Sequence, residues 1–429
     1  MPKRAVVLGG GGARGPYQIG VWKALRELSI DYHIVTGSSV GALNGALMVQ
    51  GDYDKGVEMW ESLSLRNIVN LSSPPDQEAS IQDELRQGIR EAVENRGLDV
   101  SPLESLLRDV ISPERFYQSP VDYGLVTVQF PLYTPLHLTK AEIPPEKLVD
   151  YLMASASYFP LFQAKVIDGK RHIDGAYNDN IPARLALRCG AEELIVVDLA
   201  ARGLVRPLRE KVPVTYIRSR WFLGEIMEFD TSTAEEKLIL GYHDCLKAFR
   251  RKEGCSYTFH PGESKKNVLR LRNAFQTIRQ KCGVSILKQY WKLPQEHEET
   301  RGYEKRFYRY EAEDYTIGHA VTSVAEITGE LLGISPYEVY TLHRFNRLLL
   351  EAASQTTLSS PALSQRDRDT SASTRYGARR VVRKFYTMLE RACQTGKPPE
   401  AMWALVGVSP REFLAAYYLL ALRMTYGSL

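Results

Sequence analysis

Cysteine is scarce in this 429-residue chain, and its five cysteines are widely spaced. They are Cys189, Cys245, Cys255, Cys282 and Cys393. No two of them form a C-x-x-C pair, so the sequence indicates neither a disulfide framework nor a zinc site. We therefore expect a reducing compartment. We also expect neither a bound metal nor a cofactor.

Long apolar runs are also missing. The apolar residues 5–8 follow Met1–Arg4 directly, and this run is far shorter than the roughly 7–15 residues of a secretory h-region. The longest run near the C-terminus, Phe413–Leu422, is about half of the roughly 20 residues that a spanning helix needs. We expect a cytoplasmic protein, soluble or peripheral at a membrane.

The composition is that of a globular protein, with 44% hydrophobic and 25% charged residues, but charge is unevenly distributed. The net charge is −7 over residues 1–200, +10 over 201–310 and +1 over 311–429. The basic middle segment contains Trp221-Phe222-Leu223 and an amphipathic stretch at 265–282. It could dock on an anionic membrane surface. The alternative is a helical cap packed against the core without membrane contact.

Strands alternating with helices in the first half predict a three-layer α/β core with a mainly parallel sheet. Helical patterns dominate after about residue 230. We expect an α/β domain over residues 1–252, a helical cap or extension over 253–353, a flexible Ser/Thr-rich linker over 354–376 and a short helical tail over 377–429. Asp168-Gly169 predicts a type I′ hairpin turn, and Asn180 is the expected N-cap of a helix.

The segment Gly37-Ser38-Ser39-Val40-Gly41 matches G-x-S-x-G and follows an apolar strand. A nucleophile on a sharp turn from strand to helix needs small neighbours, which Gly37 and Gly41 supply. Ser39 is therefore the candidate nucleophile, and a plain structural turn is the alternative.

A run of four glycines, Gly9–Gly12, follows the first strand and leads through Arg14 to Gly15. The spacing also fits the dinucleotide pattern G-x-G-x-x-G, but that fold needs an acidic residue at the end of the second strand, where Thr36-Gly37-Ser38 stands. The stronger interpretation is an oxyanion hole made of backbone amides. Arg14 either adds positive charge or clamps the loop. We expect no nucleotide and no nucleic acid as partners.

Asp174, in Asp174-Gly175-Ala176, ends a short apolar strand and is a candidate acid or base, although an isolated Asp-Gly is usually a turn. A serine hydrolase normally pairs its serine with a histidine. None of the eight histidines follows a late strand of the core, where that base is expected. They are His33, His137, His172, His243, His260, His297, His319 and His343. A Ser–Asp dyad therefore stays open.

These motifs, in this order, resemble the patatin-like phospholipases. The resemblance rests on Gly10-Gly11-Gly12-Ala13-Arg14-Gly15, the Ser39 pentapeptide, residues 153–160 and Asp174-Gly175-Ala176. It is clear over residues 3–220 and weak to about 250. Gly9 departs from the polar or acidic residue that many members carry there.

The resemblance implies a catalytic dyad of Ser39 and Asp174, with an oxyanion hole from Gly10, Gly11 and Gly12 supported by Arg14. It implies hydrolysis of lipid acyl esters, as a phospholipase A, lysophospholipase or acylglycerol lipase, and lipid as the partner. The alternatives are a soluble esterase or thioesterase for small acyl esters, and a scaffold that keeps the fold without the activity. The sequence says nothing of the oligomeric state.

Overall fold

The computed structural model describes residues 2–71, 97–290, 317–354 and 371–427, together with the single positions 88, 90 and 293. The described residues fall into two compact units. The first ends at Phe249 and the second begins at Arg250.

The first unit is built on an eight-stranded sheet. Its strands are β1 (Arg4–Leu8), β2 (Ile34–Ser38), β3 (Asp122–Phe130), β4 (Thr134–Thr139), β5 (Lys165–Ile167), β6 (Lys170–Asp174), β7 (Glu193–Asp198) and β8 (Val214–Arg218). Their spatial order is β5-β6-β3-β2-β1-β7-β8, and β4 pairs with β3. Strands β1, β2, β3, β7 and β8 are parallel, whereas β4 and β6 run antiparallel to β3, and β5 to β6.

Helices cover both faces of this sheet. Those described in the first unit are α1 (Pro16–Glu27), α2 (Val40–Gln50), α3 (Tyr53–Ser62), α4 (Ser101–Val110), α5 (Pro113–Gln118), α6 (Leu148–Ser155), α7 (Ala183–Arg188) and α8 (Ala234–Ala248). On one face, Ala5 and Val7 of β1 pack in a cluster with Ala183 of α7. On the other face, Leu8 and Val35 lie close to Gly45 of α2. The predicted three-layer core with a mainly parallel sheet is confirmed.

Two local predictions have different outcomes. The turn between β5 and β6 has positive φ at both Asp168 (49°) and Gly169 (73°), as a type I′ turn requires. The predicted N-cap Asn180 is wrong, because α7 begins at Ala183 with Pro182 at its N-cap. Asn180 instead uses its backbone in loop contacts, accepting from the N–H of Gly10 at 3.1 Å.

The second unit is mostly helical within its described residues. Its helices are α9 (Glu263–Cys282), α10 (Ile286–Tyr290), α11 (Ile317–Leu332), α12 (Leu342–Ser354), α13 (Ser371–Thr395), α14 (Glu400–Val408) and α15 (Pro410–Tyr426). Two short parallel strands, β9 (Thr258–Phe259) and β10 (Val339–Tyr340), accompany them. The stripe predicted along α9 is present, since Leu271, Ile278 and Cys282 are buried.

The C-terminal apolar run forms a central element of the second unit. Every residue from Phe413 to Leu422 is buried in α15, because a helix that is apolar all round packs on all sides. The predicted extension and tail therefore contribute to one compact unit. Helix α13 begins at Ser371, inside the predicted linker, and positions 355–370 lie outside the described residues. The domain boundaries stay predictions.

Two of the cysteines meet in this unit. The Sγ atoms of Cys282 and Cys393 are 3.0 Å apart, one on α9 and the other on α13. The spacing along the chain gave no sign of this pair. In the described part of the chain, no helix combines the length and the apolar character that crossing a membrane requires.

Candidate active site

Ser39 lies on the sharp turn between β2 and α2. Its backbone has φ 53° and ψ −131°, a strained conformation for a residue other than glycine. A Cβ at Gly37 would lie 2.2 Å from the carbonyl oxygen of Gly41, and a Cβ at Gly41 would lie 2.3 Å from that of Leu8. Only glycine fits at both positions, which is the reason for the spacing of the pentapeptide.

A second serine holds this turn in place. The Oγ of Ser155, at the end of α6, accepts a hydrogen bond from the N–H of Ser39 at 3.0 Å. The same Oγ donates to the carbonyl of Val126 on β3 at 2.7 Å. Ser155 was not predicted as a site residue, although it stands in the segment 153–160 that carries part of the family resemblance.

Asp174 ends β6 and is 1% exposed. Its carboxylate accepts a hydrogen bond from the N–H of Ala176 at 2.8 Å. Burial raises the pKa of Asp174 to about 6, and the interactions of the carboxylate with the Ser39 side chain and the Ala176 N–H oppose this rise. A Cβ at Gly175 would lie 2.3 Å from the carbonyl oxygen of Val126, so glycine is needed beside the aspartate.

Of the three glycine amides predicted to form an oxyanion hole, two have no described hydrogen-bond acceptor. The N–H of Gly10 donates to Asn180, whereas no hydrogen bond to a described residue engages the N–H of Gly11 or Gly12. Both of these glycines line the same cavity as Ser39. The Gly10 amide is therefore already engaged, and its predicted part in an oxyanion hole stays a prediction. A Cβ at Gly10 would lie 2.4 Å from Oδ1 of Asn180 and 3.1 Å from the Cβ of Ser39, so the space there suits glycine.

Gly12 has the most demanding backbone of the loop. Its φ is +54°, and a Cβ there would lie 2.1 Å from the carbonyl oxygen of Ile226. That carbonyl accepts the N–H of Ala13 at 2.8 Å, so the close approach is part of what fixes the loop. Gly15 is likewise confined, since its Cβ would lie 2.1 Å from the ring of Trp60.

Arg14 clamps the loop. Its guanidinium donates to the carbonyl oxygens of Leu199 (2.9 Å), Ala200 (2.8 Å) and Gly224 (2.8 Å), and lies 5.4 Å from the ring centroid of Phe222. Burial lowers the pKa of Arg14. Of the two predicted roles, these contacts favour the clamp.

Lys237 of α8 is a second cation beneath the loop, and no sequence pattern indicated it. The side chain is 5% exposed, and its Nζ donates to the carbonyl of Ala13 at 3.1 Å. Burial lowers the pKa of Lys237 to about 8. The glycine loop is thus held by contacts with the segments that follow β7 and β8 and with α8.

The site opens into an apolar cavity of about 790 Å³, which includes space open to solvent. Ser39, Asp174 and Ala176 line it together with the glycine loop. Its apolar wall includes Leu43, Met59, Trp60, Leu63, Leu103 and Leu107. These side chains come mainly from α2, α3 and α4, and the sequence gave no sign of their convergence.

No histidine lines this cavity among the residues that the structure describes. His137 contacts the side chain of Asn178 at 3.2 Å, and His172 contacts the carbonyl of Lys170 at 3.0 Å. His297 lies outside the described residues. Described positions also contain no group of three or more His, Cys, Asp or Glu side chains suited to a metal ion.

The chain is similar to several known proteins. An NTE family protein of Mycobacterium tuberculosis is 26% identical over 239 residues, which is 55% of this chain and 60% of that protein. Patatin-like phospholipase domain-containing protein 7 of Mus musculus is 28% identical over 206 residues, 46% of this chain and 14% of that protein. Lysophospholipase nte1 of Aspergillus terreus is 62% identical over 42 residues, 10% of this chain and 3% of that protein.

Each of these relatives is longer than the part that matches this chain. The matching part is at most 60% of a relative's length. The crystal structure of VipD from Legionella pneumophila aligns with the whole chain and 92% of its own, at 13% identity and a TM-score of 0.34, too low to carry an inference. The family model described as Patatin-like phospholipase matches residues 6–187. That range contains the glycine loop, Ser39 and Asp174, and residues 6–187 of this chain are a patatin-like phospholipase domain.

Proposed function

We propose that this chain hydrolyses carboxylic ester bonds of lipids, with Ser39 as nucleophile and Asp174 as general base. The observation that carries the proposal is that Ser39 and the buried carboxyl group of Asp174 line one apolar cavity. The relatives named as phospholipases and as a lysophospholipase support the same chemistry.

The reaction begins with proton transfer. Asp174 accepts the proton of the Ser39 hydroxyl as Oγ bonds to the ester carbonyl carbon. A carboxylate is a weak base for a hydroxyl, and the raised pKa of Asp174 brings it closer to the range that proton transfer needs.

The negative oxygen that forms is stabilised by the amides of Gly11 and Gly12, whose donors have no other described partner. Collapse of this intermediate breaks the ester bond, and the departing alcohol takes the proton from Asp174. Water then attacks the acyl-serine, gives its proton to Asp174 and releases the fatty acid as Ser39 regains its hydrogen.

The cavity supports a lipid substrate. Its apolar wall would bury a hydrocarbon chain with little polar surface to desolvate. We infer that the acyl chain binds along α2, α3 and α4 while the ester carbonyl rests at Ser39.

The test is a panel of phospholipids, lysophospholipids and acylglycerols with wild type, Ser39→Ala and Asp174→Asn. We expect both variants to lose activity by about 10⁴-fold or more, since members of such a dyad act as a unit. Asp168→Asn is the matched control, because Asp168 also precedes a glycine but lies in an exposed turn paired with Lys147. It should keep full activity.

Retention of activity by Asp174→Asn would remove the carboxylate from the mechanism. Faster turnover of short monomeric esters than of any lipid would favour the soluble esterase or thioesterase. Thermal unfolding curves of all variants show whether a loss reflects chemistry or folding.

A further inference from the structure

The first unit exposes five large hydrophobic side chains among its described residues, and four of them follow strands that share one edge of the sheet. Leu132 and Tyr133 follow β3, Leu204 follows β7 and Phe222 follows β8. These strands run parallel to β2, so their carboxyl ends lie at the edge where Ser39 follows β2. The fifth exposed residue, Val166, lies on the edge strand β5. We call Leu132, Tyr133, Leu204 and Phe222 the apolar rim.

Backbone and ring contacts connect the rim to the cavity. The N–H of Leu204 donates to the carbonyl of Ala176 at 3.0 Å, and Ala176 lines the cavity beside Asp174. Phe222 lies against Arg14, which holds the glycine loop. Leu204 and Phe222 therefore lie next to residues that line the cavity or hold the glycine loop.

Tyr133, which lies between β3 and β4, is connected to the cavity by a series of packed aromatic rings. Tyr133 packs against Phe130 at 5.7 Å, and Phe130 packs against Phe159 at 4.9 Å. The neighbouring residue Tyr158 lines the cavity. Exposures of 85% for Leu132 and 71% for Phe222 are high for such side chains. Single exposed apolar residues are ordinary, but four of them at one edge of a sheet, beside one cavity, are not.

The charge beside the rim is positive. Arg202 is exposed and lines the cavity, and Arg220 is exposed next to the rim. Residues 198–225 contain six basic residues and three acidic ones, Asp198, Glu210 and Glu225. Apolar side chains flanked by arginines suit the headgroup boundary of an anionic bilayer.

We propose that the apolar rim and Arg202 form the surface through which this protein binds an anionic lipid bilayer, so that the cavity opens directly onto the membrane. This inference rests on the proposed function, because it takes the substrate of the proposed active site to be lipid within a bilayer. It keeps Phe222 from the basic segment that the sequence offered for docking and leaves out the basic helix α9.

The apolar arm of the test is sedimentation with vesicles of phosphatidylcholine containing phosphatidylglycerol, with every variant built on Ser39→Ala so that the lipid stays intact. We expect Leu132→Ser with Leu204→Ser to lower the partition coefficient by at least about tenfold, given the apolar area removed from the bilayer. Leu269→Ser is the matched control, since Leu269 is 62% exposed on α9, against 60% for Leu204. It should bind as the parent does.

The charge arm uses Arg202→Gln. One arginine near an anionic surface corresponds to about a fivefold change in binding, so we expect that loss on vesicles with phosphatidylglycerol and little change on pure phosphatidylcholine. Lys3→Gln removes the same charge at the opposite edge of the sheet, where β1 begins, and should have no effect.

Hydrolysis of a soluble short-chain ester, measured without the Ser39 change, separates the two proposals. The Leu132→Ser, Leu204→Ser variant should keep this activity. Vesicle binding equal to that of the parent would overturn the rim, and a loss confined to Leu269→Ser would assign docking to α9. If no variant hydrolyses any ester while the rim still governs binding, the proposed function fails and the surface remains.

Discussion

At the scale of single residues, a buried carboxyl group is the proposed base, and its surroundings set the pH range in which it works. Asp174 is buried, and its pKa is raised to about 6 because the protein interior disfavours its charge. The hydrogen bond from the Ala176 N–H and the interaction with the Ser39 side chain lower this pKa in part.

The reaction needs ionised Asp174, which leads to a pH dependence. We expect kcat/KM to fall about tenfold per pH unit below about pH 6 and to level off above it. Initial rates on a soluble ester between pH 4.5 and 8 check this. A profile that stays flat down to pH 4.5 would contradict the assignment of the base.

The same pKa predicts a stability effect. Because folding raises this pKa, the native state carries the cost of a buried charge above about pH 6, and the cost disappears below the ordinary pKa near 3.8. We expect Asp174→Asn to stabilise the protein by about 2–3 kcal/mol at pH 8 and by little at pH 4. Chemical unfolding at both pH values gives the comparison, and equal shifts at the two pH values would argue against a raised pKa.

Ser155 is a positioning residue for the nucleophile. Replacing it with alanine removes the acceptor for the N–H of Ser39 and the donor to Val126, so we expect about tenfold lower kcat and about 1–3 kcal/mol less stability. Ser157→Ala is the control, since its Oγ donates to Met153 and does not touch Ser39. A purely structural role for Ser155 would leave kcat at the level of that control.

At the scale of elements, the glycine loop joins local backbone geometry to distant anchors. The glycines let the chain pass close to Ile226 and Ser39, and Arg14 and Lys237 hold the loop from other parts of the fold. A conformation fixed from several sides keeps donors aimed without reorganisation during the reaction.

Two glycine-to-alanine variants, at Gly12 and at Gly51, test whether the close contact at Gly12 matters for activity. Gly12→Ala would place a Cβ 2.1 Å from the Ile226 carbonyl, so the loop must shift, and we expect at least about 100-fold lower kcat. Gly51 also has positive φ, +80°, but open space around it. Gly51→Ala should cost about 1 kcal/mol of stability with kcat unchanged. Similar kcat in both variants would show that the loop tolerates the shift.

Lys237 is the other anchor whose removal should be informative. We expect Lys237→Met to lower kcat about tenfold on a soluble ester with KM nearly unchanged, because the amides lose alignment while the cavity keeps its shape. Lys237→Gln retains a donor and should recover part of the loss. If KM changes as much as kcat, the residue supports the cavity rather than the loop.

The elements themselves were largely predictable from the sequence. Helix α2 begins directly after Ser39, because the pentapeptide forces a turn there, and it ends at Gln50, because Gly51 follows with φ +80°. The N-cap at Asn180 was wrong, since the tertiary contact with Gly10 takes the backbone of that residue into a loop.

At the scale of the whole molecule, prediction from sequence reached the motifs and missed the contacts between distant segments. Ser39 and Asp174 could be proposed as site residues because each occupies a turn with local glycine requirements. Lys237 and the wall of the cavity have no local pattern, since each acts only after the sheet brings it to the site. The same holds for the pair Cys282 and Cys393.

The anchors of the glycine loop have a consequence for synthesis of the chain. The carbonyls that bind Arg14 belong to residues 199, 200 and 224, and the amine that holds Ala13 belongs to residue 237. All four lie downstream of residue 187, where the family match ends. A ribosome must therefore complete α8 before the glycine loop can take up its native conformation beside Ser39. A fragment that ends at residue 187 would lack all four of these partners.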